Sequence, residues 1–183
     1  MASQPAIPEP DAAGSPSVTV RIGELAVSRT PGTVLSTIGL GSCIGLVLMD
    51  AERRVVGLAH IMLPESRGPE RDPARYADAA VPALIRALVG VGGRPQRLEA
   101  VLVGGAQLFA ASHLEIGVRN AEAVEAALTA AAIPVRARAT GGDAGRSVWV
   151  SIDELSVTVR AADAPSRQIY RANGSKGPAG DGG

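Results

Sequence analysis

The stretch CIGLVLMDAERRVVGLAHIML, residues 43–63, carries two apolar runs on either side of a polar turn. The first run, residues 44–50, is apolar nearly throughout, as expected of a central strand covered on both faces. Asp50 to Arg53 supply the turn, and residues 54–63 return as the next strand. The pattern therefore predicts an antiparallel hairpin. Counting outward from a turn centred near residues 51 and 52 sets position 43 opposite about position 60. That pairing brings the chain's single cysteine, Cys43, toward one of its two histidines, His60.

Composition limits what such a hairpin can belong to. The chain has 183 residues, enough for one domain with a sizeable core. Hydrophobic residues make up 46% and aromatics only 2%, so Val, Leu, Ile and Ala must build that core. Lys plus Arg and Asp plus Glu number 18 each. A formal net charge of zero argues against nucleic acid as a partner and against a polybasic membrane patch. No apolar run is long enough to span a bilayer, and the opening MASQPAIPEPDAAG does not read as a signal peptide. A lone thiol forms no internal disulfide, so a cytoplasmic protein without membrane insertion is expected.

Outside the hairpin, residues 1–16 and 164–183 are rich in Pro, Gly and Ser and read as disordered ends of a domain spanning 17–163. Val18, Val20 and Ile22 alternate with Thr19 and Arg21, which predicts a half-buried strand. Thr33 to Ile38 is a second strand leading into a glycine turn. Val81, Leu84, Ile85 and Leu88 follow helical spacing, with Asp72 as cap, Pro73 in the first turn, and Pro82 as a source of a kink or a late start. Residues 98–106 form a buried strand ending in glycines, and residues 120–133 a second helix with Asn120 as its N-cap. Val135–Ala139, Ser147–Ile152 and Leu155–Val159 close the domain as strands. The order strands, helix, strand, helix, strands predicts an α/β (α+β) sandwich with a largely antiparallel mixed sheet.

The chemistry centres on Cys43. Gly39, Gly41 and Ser42 precede it. Such a turn either connects strands around a small core residue or holds out a nucleophile with free N–H groups near the sulfur. A thiol needs a base to act, and hairpin geometry favours His60, whereas His113 lies in a loop that nothing local ties to Cys43. Thr37, six positions before Cys43, ends the incoming strand. It is either an ordinary β-branched strand residue or an acceptor that fixes the imidazole tautomer. One Cys and two His fall short of a zinc set, and neither GGRPQR (92–97) nor VGGAQ (103–107) is a phosphate-cradling motif, so no metal or cofactor is expected.

Taken together, these segments resemble the chemoreceptor glutamine deamidase family, CheD. TIGLGSCIGLVLMD (37–50) is similar to the family's nucleophile segment and GLAHIMLPES (57–66) to its histidine segment. VGGAQLF (103–109), IGVRN (116–120) and GGDAGRSVWV (141–150) match three further blocks in order, so the resemblance covers about residues 33–160. It implies a three-layer α/β sandwich like the catalytic domain of cytotoxic necrotizing factor toxins. It implies Cys43 as nucleophile, His60 as base and acid, Thr37 as the third catalytic residue, and the turn at Gly41 and Ser42 against the substrate. The implied reaction turns glutamine side chains of methyl-accepting chemoreceptors into glutamate through a cysteine thioester, with release of ammonia, in chemotaxis adaptation. The resemblance also implies pairing with a CheC-type CheY-phosphate phosphatase, which leaves a binding module as the alternative. A thiol amidase or transglutaminase acting on other proteins is a third reading. One departure stands out: Val101 occupies a place where the family usually has lysine before GGA, which bears on substrate or partner contacts. The charged loop PESRGPERDPARY (64–76), which follows His60, is either a recognition segment or an ordinary surface connection.

Overall fold

The computed structural model describes residues 16–66, 68, 72–107 and 115–172. Its strands are β1 (Ser17–Thr19), β2 (Leu25–Ser28), β3 (Val34–Leu40), β4 (Ile44–Asp50), β5 (Val55–Ile61), β6 (Glu99–Gly104), β7 (Val135–Thr140), β8 (Arg146–Ser151), β9 (Ser156–Ala161) and β10 (Arg167–Arg171). Two helices, α1 (Ala77–Gly90) and α2 (Ile116–Ala130), follow β5 and β6. The strands form two five-stranded sheets, ordered β1-β3-β8-β9-β10 and β2-β5-β4-β6-β7. Among the described strands only β1–β3 and β6–β7 pair in parallel. The α+β class and the largely antiparallel mixed pairing thus hold, with the strands divided between two sheets.

Two apolar interiors explain the layering. One, including Leu35, Val47, Leu58, Val101, Val148 and Val157, fills the space between the sheets. The other, including Leu46, Ala59, Leu84, Leu102, Val124 and Leu128, joins the outer face of the second sheet to both helices. β4 lies at the centre of the second sheet, and every residue in it is buried. Its unbroken apolar run therefore follows from facing both interiors. β5 comes close to α1 at Gly57, where a Cβ would sit 2.8 Å from Leu84 Cδ1. The hairpin turn is anchored by buried Asp50, whose carboxylate accepts from the N–H groups of Arg53 and Arg94.

Several expectations at the edges are corrected. Of the first alternating set only Val20 is buried; Val18 is 40% and Ile22 56% exposed, because β1 is a three-residue edge strand and the chain turns after it. The helix after Asp72 starts late: Pro73–Arg75 form one 3-10 turn, and α1 begins at Ala77 and runs through Pro82. The second helix begins four residues earlier than expected, so Asn120 lies inside it rather than capping it. Chain expected to be tail supplies β10, which pairs antiparallel with β9, so the fold extends beyond residue 163. β2, not anticipated, lines the edge of the second sheet against β5.

Candidate active site

The chain passes from one sheet to the other at the cysteine. β3 breaks register between Thr37 and Leu40, with Gly39 at φ +75°, and residues 41–43 carry the backbone across into β4. Cys43 is half-buried at this crossing. The glycines after β6 cradle it. The Gly105 N–H donates to the Cys43 carbonyl and the Ala106 N–H to the Gly41 carbonyl, both at 2.8 Å. At Gly104, φ +109°, a Cβ would fall 2.2 Å from the Cys43 carbonyl oxygen, so no other residue fits that approach. The N–H groups of Gly41, Ser42 and Cys43 donate to no carbonyl among the described residues.

The hairpin register differs from the count made on sequence. Ile44 pairs with Ile61 and Gly45 with His60, so His60 stands opposite Gly45, two residues beyond Cys43. The turn occupies residues 51–54, one residue later than assumed, which shifts the pairing by two. Directly opposed residues share a face, so His60 looks the same way as Gly45. That way is the interior between the sheets: a Cβ on Gly45 would meet Leu40, Thr37 and Val148, all from the first sheet. Cys43 packs against the same interior. The sulfur and the imidazole therefore occupy one face of the second sheet at its rim.

Thr37 closes the arrangement from the other sheet. Its Oγ1 lies 2.8 Å from His60 Nδ1, and both side chains are buried. Nδ1 is thereby engaged and Nε2 is left over. Nε2 is buried and has no hydrogen-bond partner among the described residues, so it makes no hydrogen bond to the Cys43 sulfur in this state. Burial lowers the His60 pKa below its usual 6.5, opposed in part by the Val20 carbonyl and the Glu24 charge. Burial likewise pushes the Cys43 thiol up, opposed in part by its own N–H. Both shifts favour the neutral thiol and neutral imidazole over a low-pKa thiolate paired with an imidazolium. A cleft of about 370 Å³ reaches His60 and Thr37 between Thr19–Ile22 and Ile38–Gly39; Cys43 is not in its lining.

The structure thus brings Thr37 and His60 into contact and sets Cys43, Gly41 and Ser42 on the adjoining turn. His113 lies outside the described residues. Val101 is wholly buried between the sheets, so the departure there is an interior one and not a surface contact. The described ends of the 64–76 loop are tied down beside His60, with the Met62 and Leu63 N–H groups donating to the Arg75 carbonyl. Sequence reasoning missed the supporting residues. Gly105 and Gly117 touch backbone to backbone, and a Cβ on Gly117 would lie 2.4 Å from the Gly105 carbonyl oxygen. Asn120, read as a cap, donates from Nδ2 to the carbonyls of Ser42 and Met62, each at 2.9 Å. The signal available was the paired glycines of VGGA, which end a strand with no hairpin partner following them, and the Gly-x-x-Asn spacing of IGVRN.

Comparison with known proteins shows what the chain is similar to. Residues 62–161 match the family model described as CheD chemotactic sensory transduction. The chemoreceptor glutamine deamidase CheD of Thermotoga maritima is 41% identical over 141 residues, covering 77% of this chain and 89% of that protein. Two relatives, from Moorella thermoacetica and Archaeoglobus fulgidus, carry the name "probable chemoreceptor glutamine deamidase CheD". They are 42% and 43% identical, over 83% and 78% of this chain and 95% and 92% of their own length. With this similarity along most of its length, the chain belongs to the CheD family.

Proposed function

We propose that this chain is a protein-glutamine deamidase of chemoreceptors, a cysteine hydrolase working in the cytoplasm without a cofactor. The observation that carries the reading is the 2.8 Å Thr37–His60 bond, which engages Nδ1 and leaves Nε2 on the face shared with Cys43. With Nδ1–H donating to the Thr37 hydroxyl, Nε2 holds the lone pair. The names of the relatives supply the substrate class.

In this reading Nε2 takes the proton from the Cys43 thiol as the sulfur attacks the side-chain amide carbon of a receptor glutamine. In this reading the raised thiol and lowered imidazole favour proton transfer that accompanies attack over a preformed thiolate. The amide oxygen becomes an oxyanion facing the N–H groups of residues 41–43. Protonated Nε2 then gives its proton to the amide nitrogen, the C–N bond breaks, and ammonia leaves. A thioester remains at Cys43. Nε2 next removes a proton from water, the hydroxide adds to the thioester, and collapse expels the sulfur, which recovers its proton from His60. The product is a glutamate side chain.

One observation favours a second reading. A thiol pushed up by burial is also what an inert core cysteine has, and a chain of this fold could serve as a binding partner of a CheC-type phosphatase. Ammonia release from a chemoreceptor cytoplasmic domain separates the two. Deamidation predicts release that depends on the enzyme and does not increase with an added primary amine. A binding module predicts none, and a transglutaminase predicts incorporation of the amine.

A further inference from the structure

Asn120 is fully buried on α2, yet its side chain serves neither the helix nor the apolar interior around it. Both hydrogens of its amide nitrogen are used, one on the Ser42 carbonyl and one on the Met62 carbonyl, each at 2.9 Å. Two acceptor partners fix which end of the amide is nitrogen. Its Oδ1 is buried with no hydrogen-bond partner among the described residues. A buried orphan acceptor is costly, so packing alone does not account for an amide with its oxygen unpaired at this position.

The two carbonyls have a particular location. The β4–β5 ladder ends at the pair Ile44–Ile61, so Ser42 and Met62 lie just past its end, flanking Cys43 on one strand and following His60 on the other. Beyond a ladder's last pair nothing in the backbone keeps two strands at fixed separation. The Asn120 amide spans that gap and acts as one further rung, supplied from the helix. α2 is itself held at this spot by the close contact of Gly117 with Gly105, the residue whose N–H binds the Cys43 carbonyl.

We propose that Asn120 is a positioning residue for the reaction: its amide clamps the Cys43 turn to the strand end carrying His60 and so sets the separation of sulfur and imidazole. The assignment rests on the cysteine deamidase reading above. It predicts that an isosteric exchange of donor for acceptor, Asn120→Asp, spoils the rate more than binding, because the receptor does not touch Asn120.

The test is steady-state ammonia release from a purified chemoreceptor cytoplasmic domain by four full-length proteins: wild type, Cys43→Ala, Asn120→Asp and Val124→Ala. Val124 is buried one turn along the same helix and serves as a control for general weakening of α2. Asn120→Asp is expected to lower kcat by about a hundredfold with KM within about threefold of wild type. Val124→Ala, melting no higher than Asn120→Asp, is expected to keep kcat within about threefold. A folded Asn120→Asp with wild-type kcat, or an equal loss of kcat in Val124→Ala, overturns the assignment while leaving the cysteine reading intact. Should Asn120→Asp not fold, Asn120→Ala is measured in its place; failure of both to fold makes Asn120 a folding determinant and overturns the assignment. Wild-type turnover retained in Cys43→Ala overturns the cysteine reading and the assignment together.

Discussion

The hydroxyl of Thr37 and Nδ1 of His60 lie 2.8 Å apart, and the two residues come from different sheets. The bond crosses an otherwise apolar interior. It holds the imidazole against rotation and dictates which nitrogen is available. Thr37→Val keeps the shape and removes the hydroxyl, leaving Nδ1 buried and unpaired. It is expected to lower kcat by about ten- to a hundredfold and to cost about 1–3 kcal/mol of stability. Thr37→Ser, which keeps the oxygen, is expected to stay within about fivefold of wild type. Kinetics alongside urea denaturation check both; full activity in Thr37→Val would remove the orienting role.

In the proposed mechanism His60 moves protons and Thr37 orients it, so His60→Ala is expected to cost more than Thr37→Val. General acid and base roles together predict a loss of about a thousandfold or more in kcat. A thermal melt of the variant separates that loss from unfolding.

The pH dependence follows from two opposite shifts. In the proposed mechanism His60 must be neutral to accept the thiol proton, and burial holds its pKa below the usual 6.5, so kcat/KM is expected to rise with pH about a midpoint below that value. Stability moves the same way on the acid side. The unfolded chain binds the His60 proton more readily than the folded one, so stability is lost as pH falls through the unfolded value toward the folded one. Cys43 acts on the alkaline side. Its folded pKa is above the usual 9.0, so the unfolded chain releases the thiol proton first, and stability falls as pH rises through 9.0. Iodoacetamide labelling of Cys43 is therefore expected to be slow at neutral pH and to climb into the alkaline range. Rapid labelling at pH 7 would mean that the thiol is not held up by burial.

How much of this was legible in the sequence depends on how local the cause was. β4 and β5 were readable because two long apolar runs flank a polar turn, which also put Cys43 and His60 near one strand end; the role of Thr37, outside that hairpin, came only from the family resemblance. The register was not, since a shift of the turn moves every pair along the ladder. Alternation says that a strand has two faces but not which sheet it joins, so the division into two sheets was hidden. β10, RQIYR, buries no residue fully and follows a polar stretch, which made it look like tail. Asn120 has the residue type of a cap, and only the tertiary fold reveals that its amide is used on two distant carbonyls.

The glycine contacts behind the cysteine give a prediction about stability. A methyl group on Gly117 would press into the Gly105 carbonyl and push α2 away from the Cys43 cradle. Gly117→Ala is expected to destabilise by about 1–3 kcal/mol despite the better helix propensity of alanine, and to lower activity as well. Gly90→Ala, at the end of α1 with open space around its Cα, is expected to change stability by less than about 1 kcal/mol. Equal behaviour of the two variants in thermal melts would show that the close approach at Gly117 is not a constraint.

The most direct check is the mass of receptor peptides after incubation with wild type or with Cys43→Ala that melts as wild type does. Wild type is expected to raise particular glutamine-containing peptides by about 1 Da, amide becoming acid, and Cys43→Ala is expected to leave them unchanged. The same conversion by folded Cys43→Ala would contradict the account.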